Sequence, residues 1–247
     1  MDWLPLPVPD LTWLACAAVV AGLVRGFSGF GTALVYVPLA AQVLPPVWVV
    51  VTLTAMDLLG PLPLVPRALR DGRLRDVGVT LGAAAVTVWA GLALLGRLPE
   101  RPFLLVVSAV ALGLAALLAS GWRYRGTLTA PILAGSGGLG GFLGGLTGLA
   151  GPPVILAQVA SMQAAAVTRA NVLLYLVGID VLMMLALGAR GMLTLEAVLL
   201  GLALVLPYGG AAWVGGRLFD PGRERLWRGV AYGVIAASGL SGLWAAL

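Results

Sequence analysis

Residues 26–56 carry no charged side chain, and the same holds for residues 77–96, 103–122, 197–216 and 229–247. A helix needs about 20 apolar residues to cross about 30 Å of hydrocarbon. Several such runs in succession specify a bundle of membrane spans. Composition closes the alternative: the chain is 60% hydrophobic and 10% charged, too few polar residues to cover a soluble core of this size. The expected fold class is an all-α polytopic membrane protein.

The residue inventory removes several chemistries. There is no histidine, so Ser/His and Cys/His catalysis and histidine-ligated metals are excluded. Cys16 is the only cysteine and lies inside the first apolar run, which leaves no disulfide and no thiolate metal site. No cofactor is expected. The net charge of +5 comes from arginines in short loops beside apolar runs, which orientation in the membrane explains without nucleic acid. The opening Met1-Asp2-Trp3-Leu4-Pro5 lacks the basic start of a cleaved leader, so the first span is expected to be retained.

Helical patterning predicts an interval at 11–45 broken near Arg25–Thr32, then helices near 47–66, 77–96 and 103–121. A second set follows: an interval at 130–161 broken near Thr147–Pro153, then helices near 170–188, 195–214 and 228–246. Trp3, Trp48, Trp122 and Trp227 fall at expected span ends, as interfacial aromatics do. Residues 1–125 and 126–247 thus read as two halves of one membrane domain. At one constant offset, Gly22, Gly26 and Gly29 fall on Gly141, Gly145 and Gly148, Ser28 falls on Thr147, and Gly31 on Ala150. The next helix of each half carries one acid inside its span, Asp57 and Asp180.

Arginine placement sets the expected orientation. Arg67, Arg70, Arg73 and Arg75 crowd one loop, and Arg217, Arg223, Arg225 and Arg228 another, so both loops are expected on the cytoplasmic side. The chain between them must then cross an even number of times. Residues 126–168 carry no charge and are long enough, at roughly 1.5 Å per residue, for two passes or a re-entrant hairpin. The halves become inverted repeats with about 8–10 membrane segments in the cell inner membrane, both termini periplasmic. Eight plain spans with parallel halves are the alternative, and would put one arginine cluster outside.

Helix breaks at matching places in two inverted halves mark a transporter's binding site. Glycines let the backbone unwind there, prolines end the hydrogen-bond ladder, and the freed N–H groups at a half-helix N-terminus suit an anion. The candidate substrate-binding residues are Arg25, Gly26, Ser28, Gly29 and Gly31 in the first break, and Thr147, Gly148, Gly151 and Pro152 in the second, with Asn171 on the following helix. The same glycines form small-residue patterns that let helices pack closely. Arg25 has two readings, a bidentate donor to an oxyanion or an anchor reaching to the surface; Arg169 has the same two. Asp57 and Asp180 are candidate proton carriers, because removing a carboxylate from water favours its neutral form, unless water or a guanidinium such as that of Arg25 reaches it. Gln42, Gln158 and Gln163 are further amides inside apolar runs.

The first break and its continuation to Val37-Pro38-Leu39 resemble the amino-terminal signature of the TauE/SafE sulfite-exporter family, and Gly141 to Gly151-Pro152-Pro153 looks like that family's second module. The resemblance covers essentially the whole chain. Thr32 and Ala150 stand where the family pattern has glycine. What it implies is movement of small sulfur-containing anions, such as sulfite or organosulfonates, across the cytoplasmic membrane; with the two acids as proton carriers, the expected function is proton-coupled secondary transport, with protons and the anion as partners. Two rivals remain at this stage. An intramembrane aspartyl protease would use both acids, but such enzymes resemble Gly-x-Gly-Asp, and Asp180 follows Val177-Gly178-Ile179. A passive anion channel would show no proton dependence.

Overall fold

The computed structural model describes residues 6–120, 126–159, 163–218 and 224–247. Trp3, Trp122, Asp220 and Arg223 lie outside the described residues. Among the described residues there are eleven α-helices and no strand: α1 (Val8–Ser28), α2 (Thr32–Ala40), α3 (Pro46–Leu59), α4 (Val65–Asp71), α5 (Leu74–Leu95), α6 (Glu100–Ala119), α7 (Ala130–Thr147), α8 (Gly151–Val159), α9 (Ala165–Ala189), α10 (Leu195–Leu218) and α11 (Glu224–Ala246). Six of them, α1, α5, α6, α9, α10 and α11, are long and apolar enough to cross a membrane. The expected helix at 47–66 is shorter, because α3 stops at Leu59 before Gly60-Pro61. Proline supplies no N–H to continue the ladder. A 3-10 turn at Leu62–Leu64 and the short α4 fill what was read as span end and loop.

Both expected breaks are present, and they are built alike. α1 ends on Gly29, left-handed at φ 77, whose N–H bonds the Arg25 carbonyl. α7 ends on Gly148, left-handed at φ 78, whose N–H bonds the Gly144 carbonyl. Only glycine takes this conformation without a Cβ penalty. Ser28 Oγ donates to the Val24 carbonyl and accepts the Phe30 N–H; Thr147 Oγ1 does the same with Leu143 and Leu149.

The chain reverses at each break. Trp13 Nε1 donates to the Leu39 carbonyl at 2.9 Å, so α2 runs back along α1. In the second half, a Cβ on Gly140 would touch Val154, and one on Gly144 would touch Ala150, so α8 runs back along α7. Each re-entrant helix has nine residues, roughly 13 Å at 1.5 Å per residue, and cannot cross a bilayer alone. A second reversal follows α2, since Tyr36 Oη reaches Thr52 Oγ1 on α3 at 3.0 Å.

Packing gathers the helices into two compact units, each assembled from separate stretches of the sequence. The first comprises Met1–Asp57, Leu98–Ser120 and Leu193–Leu247; the second comprises Leu58–Arg97 and Gly121–Met192. In the first unit, Gly22 lies against the Tyr208 carbonyl, and Gly26 against Ala212, Gly215 and Gly216. Positions rise together along both chains, so α1 and α10 are parallel. Gly201 against Thr52 and Ala55, with Tyr208 against Asp57 further along both, sets α3 parallel to α10 as well. α6 and α11 are antiparallel, with Arg101 Nη2 and Nε holding the carbonyls of Leu247 and Ala246.

In the second unit, Gly137, Gly141 and Gly145 lie against Thr80, Ala84 and Val88 of α5, again a parallel pair. Ala68 of α4 is buried with Val77, Ala170 and Leu174, which seats α4 on the start of α9.

Candidate functional site

The glycines divide by task. Gly22, Gly26, Gly141 and Gly145 meet backbone of the neighbouring helix, where a side chain has no room. Their spacing serves close packing. Gly29 differs: it is exposed, and a Cβ there would meet nothing within 4 Å. The first break therefore opens onto free space. Gly31 has φ 99 and precedes Thr32, and no side chain caps the N-terminus of α2. Its first N–H groups have no partner within the helix.

Four helices bring polar side chains to this break. Arg25 Nη1 on α1 lies 3.8 Å from Asp57 Oδ2 on α3, with side chains only 17% and 12% exposed. The guanidinium thus faces the carboxylate within the unit. Tyr208 Oη on α10 donates to Asp57 Oδ1 at 2.5 Å, within the range of a charge-assisted hydrogen bond. Thr32 Oγ1, the first residue of α2, lies 3.0 Å from Tyr208 Oη. Arg25, Asp57, Tyr208 and Thr32 form one connected chain from the break to the start of the re-entrant helix. Phe27, in the same break, packs its ring 5.2 Å from that of Trp227, which joins Trp227 to the break.

Sequence reasoning named Arg25 and Asp57 but not Tyr208. The available signal was a phenol directly after Pro207, deep in an uncharged run where a hydroxyl needs a partner.

The second break has a different chemistry. Gly151, Pro152 and Pro153 are buried, and Tyr175 Oη donates to the Ala150 carbonyl at 3.3 Å. Asp180 is half-buried further along α9. Asn171 is fully buried and anchors a network: its Oδ1 accepts the Arg73 N–H at 2.7 Å, and its Nδ2 lies 3.4 Å from the oxygens of Gln158 and Gln163. Gln163 Nε2 in turn donates to Asp76 at 3.3 Å. These contacts fix the turn before α5 to the start of α9. Arg169 is exposed, and Gln42 donates to Pro38 and Ser241. No group of metal-ligating side chains occurs among the described residues.

Neither a curated protein nor a solved structure matches the chain. A family profile does, over residues 14–242 and so over both breaks, all six long apolar helices in whole or large part, and the Arg25–Asp57 pair; its description is Sulfite exporter TauE/SafE. The chain belongs to the TauE/SafE sulfite exporter family, a family of membrane transporters for sulfite-type anions.

Proposed function

We propose that this protein is a proton-coupled secondary transporter of small sulfur oxyanions, sulfite or an organosulfonate, and that the anion binds at the first break. The observation that carries this reading is the Arg25–Asp57 pair beside the uncapped N-terminus of α2. A planar guanidinium offers two parallel donors to an oxyanion, and a half-helix N-terminus adds backbone donors and a favourable dipole. Asp57 is the resident counter-charge, and protonating it releases Arg25 to the substrate. Ser28, Gly29 and Gly31 shape the opening. Thr147, Gly148, Gly151 and Pro152 supply the matching helix end of the second half. Asp180 is the second proton carrier.

Packing within each unit supports inverted halves. α1, α3 and α10 are parallel, so α3 ends on the face where α10 reaches Arg217. α5 starts from the arginine-rich segment that follows α3, and α7 is parallel to α5. With that face cytoplasmic, both termini are periplasmic. Single cysteines introduced at 67–76 and at 215–218, in a chain whose Cys16 is replaced, are expected to react only with reagent applied from the cytoplasmic side. Labelling of the two segments from opposite sides overturns the inverted arrangement.

The substrate reading is tested by Arg25→Ala in proteoliposomes against sulfite, sulfate and methanesulfonate. Loss of a charged hydrogen-bonding partner is expected to weaken binding of the preferred anion roughly 10- to 100-fold, with the thermal midpoint nearly unchanged. Parent affinity and parent flux in this variant would place Arg25 among the surface anchors.

A further inference from the structure

We infer that Tyr208 and Thr32 form a hydroxyl relay whose direction is set by the proton on Asp57, so that protonation turns the start of α2 into a better anion donor. The inference rests on the reading of the first break as the anion site and adds how proton and anion are linked there.

An ionised carboxylate only accepts hydrogen bonds. Tyr208 therefore spends its one proton on Asp57 Oδ1, and its oxygen accepts from Thr32 across 3.0 Å. In this state the Thr32 hydroxyl proton is engaged by Tyr208 and Arg25 is paired with Asp57. Both side-chain donors are occupied.

Adding one proton to Asp57 changes each link. The carboxylic acid donates to Tyr208 Oη. The phenol rotates and donates to Thr32 Oγ1. The Thr32 hydroxyl then turns its proton outward, at the first residue of α2. No covalent bond forms or breaks except the O–H gained by Asp57; the other two changes are rotations. Loss of the carboxylate charge also weakens its hold on Arg25. One proton thus delivers two side-chain donors, a guanidinium and a hydroxyl, to a helix end that already presents backbone N–H groups.

Among the described residues, the titratable groups in contact with Asp57 are Arg25 from α1 and Tyr208 from α10; α2 brings the neutral Thr32 to Tyr208. Arg25 keeps its charge at every working pH. Tyr208 is the relay and keeps its proton throughout.

The test uses the full chain in detergent and methanesulfonate, a sulfonate that does not itself titrate near neutral pH. Calorimetry in buffers of different ionisation enthalpy reads the protons taken up per anion bound. The parent is expected to take up close to one proton per anion wherever Asp57 is ionised beforehand. Tyr208→Phe keeps the ring and removes the relay, and is expected to bind roughly tenfold more weakly at the pH of best parent binding. Thr32→Val is expected to lose affinity by a similar roughly tenfold factor while keeping proton uptake, and Thr32→Ser to restore it. Binding with no proton uptake by the parent overturns the relay and leaves the anion site standing. Parent affinity in both Tyr208→Phe and Thr32→Val also overturns the relay. Absence of methanesulfonate, sulfite and sulfate binding by the folded parent removes the site and the relay together.

Discussion

Asp57→Asn is expected to abolish anion flux driven by a pH gradient while leaving the protein folded and able to bind anion. Asparagine keeps the size and the hydrogen bond with Tyr208 but has no proton to exchange. It also removes the counter-charge that occupies Arg25 in the parent. A guanidinium that has lost its counter-charge in a low-dielectric setting is costly, and an oxyanion relieves that cost. Binding in the variant is therefore expected to become tighter at high pH and to lose most of its pH dependence. Coupled flux, measured in proteoliposomes with an imposed gradient, should fall by roughly 100-fold or more, the range typical of removing a positioned proton-transfer group. Asp180→Asn provides the comparison. If it also loses coupling, both acids move protons; if it alone keeps coupling, Asp57 carries the proton. A parent-like response to the gradient in Asp57→Asn would make Asp57 a structural partner of Arg25 and end the coupling proposal.

Sequence made the breaks legible because their causes are local. Gly29 and Gly148 cap helices in a conformation that glycine favours, and Ser28 and Thr147 make the same two bonds within a single turn. Charge also travelled well. An acid inside an uncharged run needs a partner, and the guanidinium of Arg25 is in fact the one it meets. Tyr208 was not legible, because its role depends on α10 lying beside α1, a contact across most of the chain length. The evidence for that contact was nonetheless present in repeat form. Trp89-Ala90-Gly91 on α5 lies over Trp213-Val214-Gly215 on α10 at an offset five residues longer than that of the breaks, so a single constant offset missed it. Those two helices occupy corresponding packing places: α5 covers α7, and α10 covers α1. Arg190 lies over the ring of Trp89 and Arg217 over that of Trp213, so even the aromatic partners correspond. α4 escaped notice for another reason. Seven residues flanked by prolines and arginines carry too little periodicity to announce a helix.

Gly26→Val and Gly145→Val are expected to be strongly destabilising. In a membrane, helices gain nothing from hiding apolar surface that lipid covers equally well, so close backbone approach supplies much of their association. Gly26 reaches the Ala212 carbonyl and the backbone of Gly215 and Gly216, and Gly145 reaches the Val88 carbonyl and the backbone of Gly91 and Leu92. A new side chain there collides with main chain, which no rotamer change relieves; the helices must separate. The cost is set at the upper end of overpacking, about 3 kcal/mol, or a thermal midpoint lowered by roughly 10 °C. Gly82→Ala and Gly113→Ala are the controls, since a Cβ at either position meets nothing within 4 Å. Removing a flexible glycine from a helix interior stabilises it by up to about 1 kcal/mol, so these two are expected to melt at or slightly above the parent temperature. The two valine variants should also behave alike, because Gly26 and Gly145 hold corresponding places in the two halves. A melt of Gly26→Val indistinguishable from that of Gly82→Ala would mean that α1 and α10 do not touch backbone to backbone, and the placement of Tyr208 beside Asp57 would fall with it.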